Sequence, residues 1–411
     1  MLDEPEAFLH PAQAFFLGKW IGENCASLGS QLLICTHSSN FLSGILTGTK
    51  DLGIFRLQRV ENRTFYNRLP PNVANQLIGN PILSSQRVIE GIFHSGVVIC
   101  EADADRAVYQ SVASICHNSN REVLFIHAHN KQTLALVAGV LKQTGTPVAV
   151  VADIDILRPK KDIDDVYKVL TGIEMPEELK AKQLQLDDFV ESRPEEETLQ
   201  EFKNNVSELI QQLEEGKHTF EGARSALSRI HRETSKWSAI KRDGIFVLPV
   251  KEKANAEQLI AELAKIGFFV VPVGELEGWI DLGTHKKNKW IVPALETVNS
   301  RNTPPDLSGF VGGIIKYFNL SDTNKTEYRK QCGVIVPPND GTYTVPFLSS
   351  KNVAPKLWLS DYAGLDINIR FFTYSSLRVL RIKLRKPQSL LDHFDFTLYL
   401  LLIKRTLFCY E

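Results

Sequence analysis

Two apolar runs in this chain end in carboxylates. Val97-Val98-Ile99-Cys100 leads into Glu101-Ala102-Asp103-Ala104-Asp105, and Val148-Ala149-Val150-Val151-Ala152 leads into Asp153-Ile154-Asp155. Each run is short, rich in β-branched residues and free of polar alternation, the pattern of a strand buried on both faces of a parallel sheet. Carboxylates leaving the carboxyl ends of neighbouring parallel strands meet in one crevice. Their mutual repulsion is hard to tolerate there unless a cation neutralises it. An all-oxygen donor set favours Mg²⁺ or Mn²⁺. The pattern therefore predicts an α/β fold with a divalent-metal site at its strand ends.

The surrounding sequence alternates strand and helix. Strands are expected at Val97 to Cys100, Val123 to Ile126, Val148 to Val151, Gly244 to Leu248 and Phe268 to Val273. Helices are expected at Asp103 to Cys116, Lys131 to Thr144 and Ala254 to Ile266. Such alternation predicts a parallel sheet with helices on both faces. From about Arg158 to Arg242 it stops, and a Gln- and Glu-rich stretch with helical period predicts a helical insertion, a solvated pair covering one sheet edge. Upstream, Ala12 to Ala26 has a helical period, Gln31 to Cys35 reads as a buried strand, and Asp51 to Arg68 as short strands with turns. Asn72 to Ser95, with Pro81 and little periodicity, reads as the passage into the next domain. After Val336 the character changes, and Leu377 to Lys386 alternates apolar and basic residues. We read it as an atypical terminus rather than a phosphate-binding strand.

Composition bounds the function. With 43% hydrophobic and 23% charged residues and a formal net charge of −1, the chain reads as an ordinary globular protein of two or three domains. Attraction to nucleic acid must then come from local basic patches and a bound metal rather than from net charge. The six cysteines have unrelated spacings, and Cys35 and Cys100 lie in apolar strands, which predicts buried thiols in a reducing cytoplasm rather than a disulfide scaffold or zinc site. No signal peptide is recognised, and uncharged apolar runs such as Phe396 to Ile403 fall well short of the ~20 residues that span a bilayer.

Glu101 with Asp105, followed by Asp153 and Asp155, resembles the Toprim fold of topoisomerases, primases and several nucleases. Toprim domains usually carry Gly after the Glu, where this chain has Ala102. Leu2-Asp3-Glu4-Pro5-Glu6-Ala7-Phe8-Leu9-His10-Pro11 and Leu32-Leu33-Ile34-Cys35-Thr36-His37-Ser38 resemble the late motifs of an ABC-type ATPase. That resemblance implies Mg²⁺ binding by Asp3, polarisation of the attacking water by Glu4 and γ-phosphate sensing by His37. No Gly-x-x-x-x-Gly-Lys-Ser/Thr loop occurs in the 411 residues. ATP hydrolysis by this chain alone is therefore not expected, and the segment reads as the carboxyl-terminal part of a longer ATPase.

An ABC ATPase running into a Toprim domain is the arrangement of the overcoming-lysogenization-defect (OLD) family of nucleases, which the chain resembles from about Met1 to Leu295. The resemblance implies a fragment of an ATPase domain over 1–75 and a Toprim nuclease domain over 90–295 with the insertion at 158–242. A helical extension and tail over 296–411 complete the expected order. Gly274-Glu275-Leu276-Glu277-Gly278-Trp279 and Lys286-Lys287-Asn288-Lys289-Trp290 fit it too. They imply a further metal ligand in Glu277 and a lysine facing the scissile phosphate in Lys289. Asp153 and Asp155 are expected to anchor the principal ion, Glu101 to act as shared ligand or acid/base, and Asp105 and Glu277 to complete a second position.

Plainer readings stand beside these. A lone Asp at a strand end is most often a helix N-cap, the role expected of Asp103. Lys131, opening a helix after His127-Ala128-His129-Asn130, is a lesser candidate for a phosphate contact, and His127 and His129 read as ordinary strand-end histidines. The function expected is a Mg²⁺- or Mn²⁺-dependent DNA endonuclease. The family implies regulation by an attached ATPase and its ATP, homodimerisation through the ATPase or Toprim regions, and defence against foreign DNA. The competing readings are a non-catalytic DNA-binding or assembly subunit and a topoisomerase or primase, for which no Tyr-bearing cleavage domain or zinc ribbon is found.

Overall fold

The structure, a computed structural model, describes residues 2–25, 32–60, 63–117, 123–193, 195–217, 219–233, 236–283, 287–329, 333–335, 366–374, 377–385 and 398–403. Two units divide the chain, the first taking 1–94, 143–145 and 322–411 and the second 95–142 and 146–321.

The first unit opens with β1 (Leu2–Asp3), α1 (Pro11–Asn24), β2 (Leu33–Thr36), α2 (Ser39–Gly48), β3 (Leu52–Val60), β4 (Arg63–Arg68), α3 (Pro71–Gly79) and α4 (Gln86–Gly91). α1 starts at His10, whose ring accepts from the Ala12 N–H while Gln13 accepts from the His10 N–H, a capping box followed by Pro at the first helical position. α1 carries Gly18 and Gly22, and α2 carries Gly44 and Gly48. A Cβ on Gly44 would run into the Phe15 carbonyl oxygen, and one on Gly18 into that of Phe41. The paired glycines thus let the two helices touch backbone to backbone. Asn72 to Ser95, read as the passage into the next domain, contains most of α3 and all of α4. Pro71 supplies a preset first turn for α3, and Val73, Leu77, Val88 and Ile89 are buried. Both helices are too short for their period to stand out.

The second unit holds β5 (Gly96–Cys100), α5 (Asp103–His117), β6 (Val123–His127), α6 (Lys131–Gln143), β7 (Val148–Ala152), α7 (Lys161–Thr171), α8 (Glu177–Glu191), α9 (Glu195–Glu214), α10 (Phe220–Glu233), α11 (Ser238–Asp243), α12 (Val250–Lys265), β8 (Phe268–Val270), α13 (Lys287–Asn299) and α14 (Pro305–Arg329), the last running past the unit boundary. Its four strands are all parallel, in the order β6-β5-β7-β8. On one face Val98, Cys100, Phe125, Ala149 and Val151 pack with Val108 and Val112 of α5, Trp290 and Ala294 of α13, and Val311 and Ile314 of α14. The α/β expectation and the parallel sheet hold for this unit.

Two expected strands change. Gly244 to Leu248 is a 3₁₀ turn, Gly244–Val247. Gly244 has φ +70° and its Cα faces the backbone of Pro272 and Val273 so closely that no side chain fits. A five-residue apolar run cannot by itself separate strand from buried turn. The strand begun at Phe268 stops at Val270, ahead of Pro272, which has no N–H to donate. The insertion is helical as expected, but only part of it stands apart. α8 is tied down, with Gln183 donating to the carbonyls of Leu157 (3.1 Å) and Arg158 (3.2 Å) and Trp237 donating to Asp187 (2.9 Å). α9 and α10 share a small core of their own, Leu209, Ala226 and Ile230.

Four strands follow, β9 (Gly333–Ile335), β10 (Asp366–Tyr374), β11 (Leu377–Arg385) and β12 (Leu398–Ile403). β12 enters the first unit's sheet between β2 and β3, parallel to both, giving β1-β2-β12-β3-β4-β9. The apolar-basic run of the tail is β11, paired antiparallel with β10 as a separate ribbon. Cys25, Cys35 and Cys100 are buried free thiols, whereas Cys116 is exposed. Among the described residues no helix is long and apolar enough to cross a membrane.

Candidate active site

β5 and β7 are neighbours, with Val97 opposite Val148 and Cys100 opposite Val151, so both acidic clusters leave the sheet at one end, side by side. Glu101 follows β5 directly, Asp103 and Asp105 lie in the first turn of α5, and Asp153 and Asp155 lead into the 3₁₀ turn Ile154–Leu157 after β7. The chain holds these turns with its own backbone. Asp105 Oδ2 accepts from the Ala102 N–H at 2.8 Å, and the Ile154 N–H donates to the Gly274 carbonyl at 2.9 Å. Asp105, Asp153 and Glu277 are 4%, 8% and 5% exposed, a depth at which carboxylates occur only with partners.

Much of the counter-charge comes from lysine. Lys131, the first residue of α6, donates from Nζ to Asp155 Oδ2 at 2.8 Å, with both side chains largely buried. Lys241, from α11, brings its Nζ to 3.8 Å from the same oxygen, an ion pair too long for a hydrogen bond. Burial pulls the Lys241 ammonium towards neutrality, but the carboxylates of Asp155, Asp153, Glu275 and Glu101 outweigh it and leave its pKa raised. Burial, and then the charge of Asp155, hold the Glu101 carboxyl above its ordinary range against the opposing pull of Lys131 and Lys241. Glu101 Oε2 and Asp155 Oδ1 are buried and accept no hydrogen bond.

Asp103, expected as a cap, is the first residue of α5. It takes Arg106 Nε at 2.7 Å and His127 Nδ1 at 3.3 Å, while Asp105 accepts the backbone N–H at this turn. His127 and His129 stack edge to face with ring centroids 4.6 Å apart. Lys131, a candidate phosphate contact, pairs with Asp155. Lys289 is exposed in the first turn of α13, on a helix rather than a loop, and joins neither lysine on Asp155. Glu277, in the 3₁₀ turn Leu276–Trp279, lines a cavity of about 290 Å³ with Arg242, Asp243, Phe246 and Asp281.

Sequence reasoning missed Lys241. Its only signal is a basic pair, Lys241-Arg242, before the Asp243-Gly244 turn, far along the chain from Asp155. Gly274 explains the approach. Its φ is +100°, and a Cβ there would meet the Lys241 carbonyl oxygen, so the glycine lets the end of α11 lie against the turn after β8.

Four carboxylates on adjacent strand ends form a hard-oxygen donor set, and the two open acceptor atoms on Glu101 and Asp155 suit Mg²⁺ or Mn²⁺. Among the described residues, however, no group of three or more His, Cys, Asp or Glu side chains is disposed to hold a metal ion. The side chains stand in an arrangement in which ammonium groups neutralise Asp155.

In the first unit, β1 pairs parallel with β2, setting Asp3 beside Cys35. Asp3 is exposed. Glu4 has φ +44° and donates its N–H to the Cys35 carbonyl at 2.9 Å. Its carboxylate meets His37 Nδ1 at 3.0 Å, so the fold joins two of the three ATPase-like residues. Behind them the Thr36 hydroxyl donates to buried Glu6.

No protein-family model matches the chain, and no curated protein matches it. Among solved structures it is similar to the C-terminal region of the Xanthomonas campestris pv. campestris OLD protein phased with iodine, at 12% identity and a TM-score of 0.25, over 57% of this chain and 98% of that one. The platinum-phased structure of the same region gives 14% identity and a TM-score of 0.26, over 57% of this chain and 97% of that one.

Proposed function

We propose that the chain is a Toprim-type, Mg²⁺- or Mn²⁺-dependent endonuclease that hydrolyses phosphodiester bonds in DNA. The observation that carries this reading is the convergence of Glu101, Asp105, Asp153 and Asp155 at the adjacent carboxyl ends of β5 and β7, with open acceptor atoms on Glu101 and Asp155. Asp153 and Asp155 would hold the principal ion, and Asp105 and Glu277 would complete a second position. When bound, the metal supplies Lewis-acid polarisation of the phosphate and of the attacking water. Glu101, whose pKa is raised by burial and by Asp155, keeps a proton-accepting site closer to neutral pH than an ordinary carboxylate and serves as acid/base. Lys289, exposed at the head of α13, faces the negative charge of the DNA backbone.

The ATPase-like pair Glu4 and His37 belongs in this reading to a regulatory function that needs the phosphate-binding loop of a full-length ATPase and its ATP. Homodimerisation and defence against foreign DNA follow from the same resemblance, and a cytoplasmic location from the free cysteines. One observation favours a second reading, a DNA-binding or assembly subunit without catalysis: no three ligands are gathered for a metal among the described residues. Supercoiled plasmid incubated with the chain and Mg²⁺ or Mn²⁺, without ATP, separates the two. Cleavage that disappears in the Asp153→Ala, Asp155→Ala variant supports the nuclease. Intact plasmid with a folded, metal-binding parent supports the subunit.

A further inference from the structure

We propose that Lys131 and Lys241 are built-in counter-ions that hold Asp155 beside Glu101 when no divalent cation is bound, and that a cation arriving at these strand ends displaces them. The displacement half rests on the metal-dependent reading above. The counter-ion half stands on geometry alone.

Both ammonium groups address one oxygen, Asp155 Oδ2, at 2.8 Å and 3.8 Å. They come from separate places, the first residue of α6 and the end of α11, so the pairing ties two distant segments to the β7 end. The Lys131 and Asp155 side chains are 16% and 14% exposed, too buried for water to screen the charges well. Glu101 raises the difficulty, because its carboxylate and that of Asp155 act on each other from partly buried positions. Asp155 and Glu101 carry −2, the two lysines +2, and a divalent ion brings the same +2. The lysines already face the Asp155 carboxylate, so an ion that takes Asp155 sets its positive charge beside the Lys131 ammonium, 2.8 Å from Oδ2, and like charges that close repel. Ion and lysines therefore compete for Asp155. The open Asp155 Oδ1 and Glu101 Oε2 atoms are where the ion can begin to bind before the lysines leave.

The test uses the full chain and the variants Lys131→Met, Lys131→Arg, Lys241→Met and the Lys131→Met, Asp155→Asn pair. Melting is followed in EDTA and in saturating Mg²⁺, with calorimetric titration of Mg²⁺ and Mn²⁺. In EDTA, Lys131→Met is expected to melt about 5 °C or more below the parent. Lys131→Arg should recover most of that loss, and the pair with Asp155→Asn should melt above the Lys131→Met single variant, because the orphaned carboxylate is gone. Mg²⁺ should raise the melting temperature of Lys131→Met more than that of the parent and bind it about tenfold more tightly. Equal melting of the parent and both methionine variants in EDTA overturns the counter-ion role. Unchanged Mg²⁺ affinity in variants that do melt lower overturns displacement. Lower melting with no heat of Mg²⁺ or Mn²⁺ binding by any protein upholds the counter-ions and refutes the metal-dependent reading together with displacement.

Discussion

Tyr109 lies one turn beyond Asp105 on α5 and is 1% exposed. Its hydroxyl accepts from Trp279 Nε1 at 3.1 Å, and Trp279 closes the 3₁₀ turn that carries Glu277. One hydrogen bond therefore fastens the Glu277 segment to the helix that presents Asp105. Replacing Tyr109 by Phe keeps the ring and its tilted contact with Phe310, 5.8 Å between centroids, and removes only the oxygen. A buried indole N–H deprived of its acceptor costs about 1–3 kcal/mol. Part of that is offset because the phenolic hydroxyl no longer has to be buried, leaving a net loss of about 1–2 kcal/mol. For a unit of this size that is roughly a 2–8 °C fall in melting temperature. Thermal melts of Tyr109→Phe, Trp279→Phe and the double variant complete a cycle in which the coupling should be about 1 kcal/mol. A Tyr109→Phe protein within about 0.5 kcal/mol of the parent, or single effects that simply add, would show that this bond does not hold the two segments together.

Two further outcomes follow from the second unit. Lys142 Nζ donates to the Val169 carbonyl at 3.0 Å and to that of Leu170 near the end of α7, and burial lowers its pKa below 10.5. Between the folded and unfolded pKa the unfolded chain binds more protons, so stability should rise as pH climbs through the folded value towards 10.5. Lys142→Met should lack that alkaline gain in urea melts, and an identical pH slope in both proteins would refute the assignment. Replacing 195–233, the α9–α10 pair, by a short flexible linker should leave the unit's melting temperature within a few degrees. The pair has its own core, and Lys236 already donates to the Glu191 carbonyl at its base. A molten or unfolded product would show that the pair supports the sheet.

The sheet that carries the candidate site was largely legible because β5, β6 and β7 are short apolar runs with helical periods between them, so local pattern and final fold agree. The 3₁₀ turn at Gly244–Val247 was not, since its backbone is dictated by Pro272 and Val273 across the unit. Asp153 and Asp155 could be placed at a strand end from sequence, as could Glu101 and Asp105, because strand termini put them there. Their charge partners could not. Asp155 is 24 residues from Lys131 and farther still from Lys241, and no periodicity links residues that meet only through the order of strands in a sheet. The paired glycines of α1 and α2 were visible as letters, yet their meaning depends on which two helices cross.

The helices α7 to α11 leave the sheet just after Asp155 and come back at Lys241, whose ammonium lies 3.8 Å from the Asp155 carboxylate. They are a detour whose two ends share one address. Within that path α9 and α10 share a core of their own, whereas α8 is held to Leu157 and Arg158 by Gln183. A change of length is therefore tolerated at the α9–α10 tip, while a shift of α11 moves the Lys241 charge relative to Asp155.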